Sequence, residues 1–361
     1  MIYLYVFILS LLSCSIFFIT KPFSIKIGYQ IITIEHIVYW ISIIWLAWII
    51  GNRGLAGTDT FTYKVAFTNP AGFQYFEPGY KFVSSLVADL GLDFTYLQLV
   101  MSFGTMIVFG IAYSLANSKT TLSLFYFIAT GVFYTLFNTM RQGMAEALFL
   151  LAVVLFFKLN GKKKYITSGL ILYAAYLFHA SVIVVVLIVL VGIVVWKLLN
   201  SWFYFLIIII SFLGLLGIRV PITQFSSIFS KLGLSYISSY SDYLGEFSYG
   251  VEGYITLILF LLIVILTCGS NQLFQNDIYR LSYMLFLLYL VISSVFGYGG
   301  LMNRFLNYFV PFFPILFVYL PKMADSSIKK LSIQIIIFMY ILEFIIYTFL
   351  SNYQLILPYR P

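Results

Sequence analysis

Apolar runs of membrane-crossing length alternate with short polar breaks along the whole chain. They fall at about 2–20, 31–50, 96–117, 121–138, 141–159, 165–178, 180–196, 202–217, 254–270, 281–297, 304–321 and 331–350. This pattern predicts an all-α polytopic membrane protein of about 12 transmembrane helices, a single integral membrane domain over 1–361. Longer polar stretches at 51–95 and 218–253 are expected to be outer loops. The first run lacks the basic segment that opens a signal peptide, so Met1–Thr20 is expected to be a retained helix.

Two places depart from the plain pattern. Tyr165–Trp196 would be about 48 Å long as one straight helix. It is expected to break near LFHASV, leaving His179 at a recessed polar tip. Such a tip is tolerated only where it lines a wet cavity or is buried in protein. Inside the 51–95 loop, Glu77-Pro78 reads as a helix start with proline in the first position. Phe82, Val83, Leu86, Val87 and Leu90 follow at helical spacing. That helix is too short to span, and is expected to lie along the membrane surface.

Composition narrows the class. Hydrophobic residues make up 62% of the chain and charged residues 9%, against roughly a quarter charged in a soluble domain. The net charge of +8 is therefore read by side of the membrane and not as a nucleic-acid signal. Cys14 and Cys268 form no redox or metal-ligand spacing.

The cluster Lys158, Lys162, Lys163 and Lys164 orients the chain with that end cytoplasmic. Alternation then places 11 Lys and 1 Arg inside, against 3 Lys and 5 Arg outside. The outer arginines are Arg53, Arg141, Arg219, Arg304 and Arg360. A positive-inside bias does not sort guanidinium outward, whereas a bidentate partner such as phosphate or carboxylate does. Arg141 lies about 17–23 residues from the lysine cluster, roughly 26–35 Å of helix, which sets it at the outer interface. Asn138 or Thr139 is the expected N-cap, and Glu146, five residues on, the expected counter-ion.

The outer segments carry the chemistry. The 51–95 loop holds Arg53, Asp59, Tyr63 and Glu77. The 218–253 loop is rich in Ser and Tyr and holds Asp242, Tyr243, Glu246 and Glu252, a mixture suited to the apolar faces and hydroxyls of carbohydrate. In FGYGGLMNRFLNYF, Gly297, Gly299 and Gly300 lead into a helix bearing Asn303 and Arg304, an anion-cradle pattern. His36 beside Glu35 at an inner helix end reads as structural, and Glu343 has no evident partner.

Several guanidiniums, one imidazole and carboxylates on one side suit a lipid-linked pyrophosphate. Arg53, Arg141 and Arg304 would hold the diphosphate and stabilise the charge that grows as it leaves. His179, Asp59 or Glu77 would take the proton of an incoming sugar hydroxyl. Tyr63, Asp242, Tyr243 and Glu252 would contact glycan. No DxD or histidine cluster marks a metal site in the outer loops, so a reaction needing neither metal nor cofactor is expected.

The chain resembles the EpsG-type members of the Wzy-like polysaccharide polymerases. The resemblance rests on NRGLAGTDTFTYKVAF, FEPGYKFVSSL, MRQGMAEALFLLA, KKKYITSGLILYAAYLFHASVIV and NRFLNYFVPFF in that order. It implies a GT-C-like, Wzy-like bundle in the bacterial inner membrane with its active site facing the periplasm or outside. The implied reaction transfers a growing glycan from undecaprenyl pyrophosphate to a lipid-linked repeat unit in exopolysaccharide, capsule or O-antigen synthesis. Implied partners are these lipid-linked glycans, membrane lipids, a chain-length regulator and a flippase. The matching positions are Arg53, Asp59, Tyr63, Glu77, Arg141, His179 and Arg304. Glu146 departs from the pattern, which favours a small or apolar residue there. The competing expectations are a lipid-linked oligosaccharide flippase, an O-antigen ligase-type transferase, or a non-catalytic scaffold.

Overall fold

The structure is a computed structural model that describes residues 24–27, 30–117, 119–198, 202–220, 251–268, 276–297 and 300–351. Helices dominate it, preceded by one antiparallel pairing of β1 (Ser24–Ile27) with β2 (Gln30–Thr33). The helices used below are α1 (Ile34–Gly51), α2 (Thr60–Thr68), α3 (Pro78–Asp89), α4 (Phe94–Ala116), α5 (Thr120–Ala129), α6 (Val132–Thr135), α7 (Met140–Lys158) and α8 (Lys162–Phe178). They continue as α9 (Val182–Leu198), α10 (Trp202–Leu215), α11 (Val251–Thr267), α12 (Asp277–Phe296), α13 (Gly300–Leu306), α14 (Phe313–Tyr319) and α15 (Ser327–Ser351).

Six helical stretches among the described residues are long and apolar enough to cross a membrane: Ile34–Gly51, Phe94–Ala116, Met140–Lys158, Asp277–Phe296, Met302–Met323 and Ser327–Tyr347. The expected first span at 2–20 lies outside the described residues. Other expected runs are shorter or broken for local reasons. The run at 121–138 ends α5 at Gly131, whose φ of 90° is a left-handed conformation that stops a helix. The run at 304–321 falls within the membrane-length stretch Met302–Met323, which passes through a 3-10 turn containing Pro311, a residue with no N–H to offer. The stretch 165–196 does break as expected, α8 ending at His179 and α9 beginning at Val182.

The chain divides into two compact units. The first comprises Met1–Val182, Phe313–Val318 and Phe344–Pro361; the second comprises Ile183–Phe312 and Tyr319–Glu343. In the first, α1 packs on α4, α4 on α7, and α7 on α8. α1 is apolar on all sides: Tyr39, Ile43, Leu46 and Ile50 are buried while Ile37, Ile41, Ile44, Trp45 and Trp48 are exposed. An all-round apolar surface suits a helix with one side on protein and the other in lipid. Tyr39 Oη donates to the Gly110 carbonyl at 2.8 Å, joining α1 to α4. The Glu35 carboxylate accepts from Thr121 N at 3.4 Å and Thr121 Oγ1 at 3.1 Å, so it stabilises the positive end of α5 and serves structure. The α7–α8 hairpin turns at Gly161 and is tied by Ser168 Oγ donating to the Ala152 carbonyl at 2.8 Å.

In the second unit α10 packs against α11 and α12. Thr267 and Tyr283 hydroxyls meet at 2.7 Å. Glu343, without a partner in the sequence reading, accepts from Thr256 Oγ1 at 2.9 and 3.0 Å. Arg219 donates to Tyr254 Oη at 3.1 Å.

Candidate functional site

The site is built in the first unit from the segment after α1, the start of α3, the start of α7 and the α8–α9 elbow. The segment after α1 is latched at three points. Gln98 Nε2 donates to the Gly54 carbonyl at 2.9 Å. Thr58 N donates to Asn138 Oδ1 at 2.5 Å, and Thr60 Oγ1 donates to the Phe137 carbonyl at 3.2 Å. Gly57 has φ 98°, and a Cβ there would lie 2.5 Å from both Asn138 Oδ1 and the Phe137 carbonyl, so only glycine fits. Asn138 therefore serves this latch. The N-cap of α7 is Thr139, whose hydroxyl turns back to the Thr135 carbonyl at 2.9 Å and caps nothing.

The latch carries Arg53 inward. Its side chain is fully buried, with Nη1 donating to the Ile50 carbonyl at 3.1 Å and Nε to Thr60 Oγ1 at 3.4 Å. It lines a small cavity with Ser102, Thr105, Thr139 and Met140.

Pro78 starts α3 at its first position, and Glu77 is the N-cap residue in extended conformation. The Glu77 carboxylate does not cap its own helix. Its Oε2 instead takes Nη1 of Arg141 in an ion pair, and its Oε1 accepts from Ala180 N at 3.4 Å in the elbow. Gly79 permits this approach: a Cβ there would stand 2.7 Å from the Leu177 carbonyl. The Arg141 guanidinium lies 3.8 Å over the Phe76 ring and 5.6 Å from the Tyr63 ring. Glu146 is thus not its counter-ion. Five residues turn a helix by about 140°, which carries Glu146 to another face, where Gln142 Nε2 donates to it at 2.8 Å.

Tyr80, absent from the sequence reading, is buried between these groups. Burial pushes its phenol above the ordinary range, Tyr63 adds to the rise, and the guanidiniums of Arg141 and Arg53 oppose it. Both arginines are therefore electrostatic neighbours of one phenol. Tyr80 Oη and Arg141 Nε are buried and have no hydrogen-bond partner among the described residues. Most buried polar groups are paired, so two orphans in one place call for an explanation. The α3 sequence contained one clue: Tyr80 stands one turn after Glu77, on the inward face with Val87, while Phe82, Leu86 and Leu90 face outward at four-residue spacing. Of the five apolar positions expected to form one stripe, Val87 is thus in the core, with Val83 packed against it.

His179, the C-cap of α8, is buried. Its Nδ1 lies 2.7 Å from Ser181 Oγ and accepts from Ser181 N at 3.3 Å.

The structure thus gathers Arg53, Tyr63, Glu77 and Arg141, with His179 one residue from the amide that Glu77 holds. Asp59, the N-cap of α2, is exposed beside the latch and accepts from Thr58 Oγ1 at 3.2 Å. Arg304 is half-buried on α13, in the second unit. Glu252 falls in the first turn of α11 in that unit, and Asp242 and Tyr243 lie outside the described residues. Among the described residues no three of His, Cys, Asp and Glu gather as a metal-ligand set.

No curated protein and no solved structure matches the chain. The EpsG family matches residues 36–360, from the first turn of α1 onward, and the match spans every residue of the cluster. With its membrane-length helices, this makes the chain a multi-pass membrane protein of polysaccharide-polymerase type, and it belongs to the EpsG family.

Proposed function

We propose that the protein is a glycosyltransferase that lengthens a polysaccharide on lipid-linked repeat units. It transfers the growing glycan from undecaprenyl pyrophosphate to the next unit at the extracytoplasmic face of the bacterial inner membrane. The acceptor hydroxyl attacks the anomeric carbon, the bond to the diphosphate breaks, and its electron pair leaves with the diphosphate oxygen. Arg141 and Arg53 neutralise that charge without a metal. Tyr63 contacts the sugars.

One observation carries this reading. Arg141 Nε and Tyr80 Oη are buried donors without acceptors among the described residues, in a cluster with two guanidiniums, at the end of α7 opposite Lys158. An oxyanion supplies the missing acceptors, and a diphosphate supplies enough of them for both guanidiniums. A flippase reading draws on Glu146, buried in mid-helix, since transport uses polar groups at membrane depth. Purified protein in vesicles, given only lipid-linked repeat units, is expected to produce a ladder of longer glycans. Labelled lipid that crosses between leaflets with no elongation would overturn the proposal in favour of the flippase.

A further inference from the structure

We infer that Tyr75 is the platform on which the sugar nearest the diphosphate stacks, so that this ring recognises the glycan while Arg141 holds its anchor. The inference rests on the proposed transfer for the identity of the ligand, and on the aromatic cluster around Phe76 for its placement.

Tyr75 and Arg141 are joined through one ring. The guanidinium lies 3.8 Å over Phe76, and the Tyr75 and Phe76 rings meet edge to face with centroids 4.9 Å apart. The Tyr75 ring therefore stands no further from the guanidinium than these two steps laid end to end, whatever their directions. A pyranose carried by a diphosphate on Arg141 is separated from the guanidinium by one hydrogen bond, a phosphate and a P–O–C bridge, a span of the same order. Tyr63 and Tyr80, the other phenols against Phe76, are buried, whereas Tyr75 is 70% exposed. At that exposure at least one face of its ring is open to a ligand.

The open ring is also braced. Phe73 packs on Tyr75 at 5.8 Å and on Phe76 at 5.4 Å, and Phe76 N donates to the Phe73 carbonyl at 3.1 Å to close the turn between them. Lys81 Nζ donates to the Gln74 carbonyl at 3.0 Å, which ties the residue before Tyr75 to α3. An aromatic held on a fixed turn loses little freedom when a ligand covers it, which is what a stacking surface requires.

A sugar offers a face of C–H groups to such a ring and turns its hydroxyls to water and polar groups around it. The arginines meet the same anion whether or not a glycan is attached, so they do not tell the two apart. A stacked sugar does. Once the glycan has moved to the acceptor, the diphosphate left on Arg141 carries no sugar and has lost this contact, which favours its release. The ring touches no reacting atom, so its contribution is to binding and not to the breaking bond.

Binding to the protein in lipid nanodiscs tests this with two probes, undecaprenyl diphosphate and a lipid-linked repeat unit. Tyr75→Ala is expected to weaken the repeat unit about tenfold, the scale of one lost ring contact, and to hold undecaprenyl diphosphate within about twofold. Tyr75→Phe and Tyr75→Trp keep a ring, and both probes should stay within about threefold of the unaltered protein. In elongation, Tyr75→Ala should raise KM with kcat nearly unchanged.

Equal weakening of the two probes by Tyr75→Ala would make the ring a support for Phe76 and Arg141. No weakening of either would make it an interfacial tyrosine among lipid headgroups. Each result overturns the inference and leaves the proposed transfer standing. Failure of the unaltered protein to bind either probe would defeat the transfer and the inference together.

Discussion

Glu77 and Arg141 are separated by 64 residues, yet one carboxylate oxygen holds the guanidinium while the other holds the α8–α9 elbow. The guanidinium is at the same time stacked 3.8 Å over Phe76. A planar fork is what this setting requires: one edge is spent on Glu77 and Nε remains for a ligand. Lysine keeps the charge but neither stacks nor divides its donors in this way. Arg141→Lys is expected to lower elongation by about a hundredfold or more, on the scale of losing one fixed donor to a developing oxyanion. Polymer length on gels reads the effect, and an unchanged unfolding temperature separates it from misfolding. Polymer of ordinary length would mean that the chain is a scaffold.

The same pair predicts a pattern of stabilities. Both side chains are only 15% exposed. Removing one partner leaves the other charge uncompensated, which costs up to about 3 kcal/mol where water is excluded. Glu77→Gln and Arg141→Gln should each lower the unfolding temperature. The double variant should lie above the sum of the two losses, because neither charge is then stranded. Elongation should stay lost in all three. Additive destabilisation in the cycle would remove the ion pair from the account.

What the sequence disclosed about this site follows from short-range rules. The place of Arg141 at the start of a helix that ends at Lys158 came from the length of one apolar run. The helix start at Glu77-Pro78 came from the fixed φ of proline, and the break at His179 from a span too long for one crossing. The choice of counter-ion was hidden. Glu146 was near in sequence, but helical rotation turns it away, and Glu77 reaches Arg141 only through tertiary packing of α3 on α8. Tyr80 was hidden for the same reason: an aromatic in a surface helix reads as packing until the arginines are placed around it. The span over 121–138 was overdrawn, because Gly131 weighs little in an average of hydropathy but decides the backbone locally; the run at 304–321 stands within Met302–Met323.

Gly79 offers a test of that packing without touching any polar group. A methyl group at this position would meet the Leu177 carbonyl at 2.7 Å, and a backbone atom at a helix end cannot move aside cheaply. Gly79→Ala is expected to displace α3 from the elbow and cost about 1–3 kcal/mol. Because Glu77 rides on the same turn, elongation should fall more steeply than stability. Crosslinking of cysteines placed at Tyr75 and Tyr176, both exposed, should change in efficiency. An alanine variant with unaltered stability and activity would show that the close approach is not needed.

Tyr80 separates binding from stability in the opposite direction. Its hydroxyl has no partner among the described residues, and an unsatisfied buried hydroxyl costs about 1–3 kcal/mol. Tyr80→Phe removes that cost and is expected to raise the unfolding temperature, while a diphosphate loses one donor and the KM for lipid-linked substrate rises about tenfold. Burial holds the phenol protonated beyond its ordinary range near pH 10. In that range the unfolded chain ionises the group and the folded chain does not, so stability falls as pH rises. The phenylalanine variant should lack this alkaline loss, and its rate profile at neutral pH should keep its shape. A variant that is less stable and binds substrate unchanged would place the hydroxyl in the core and outside the site.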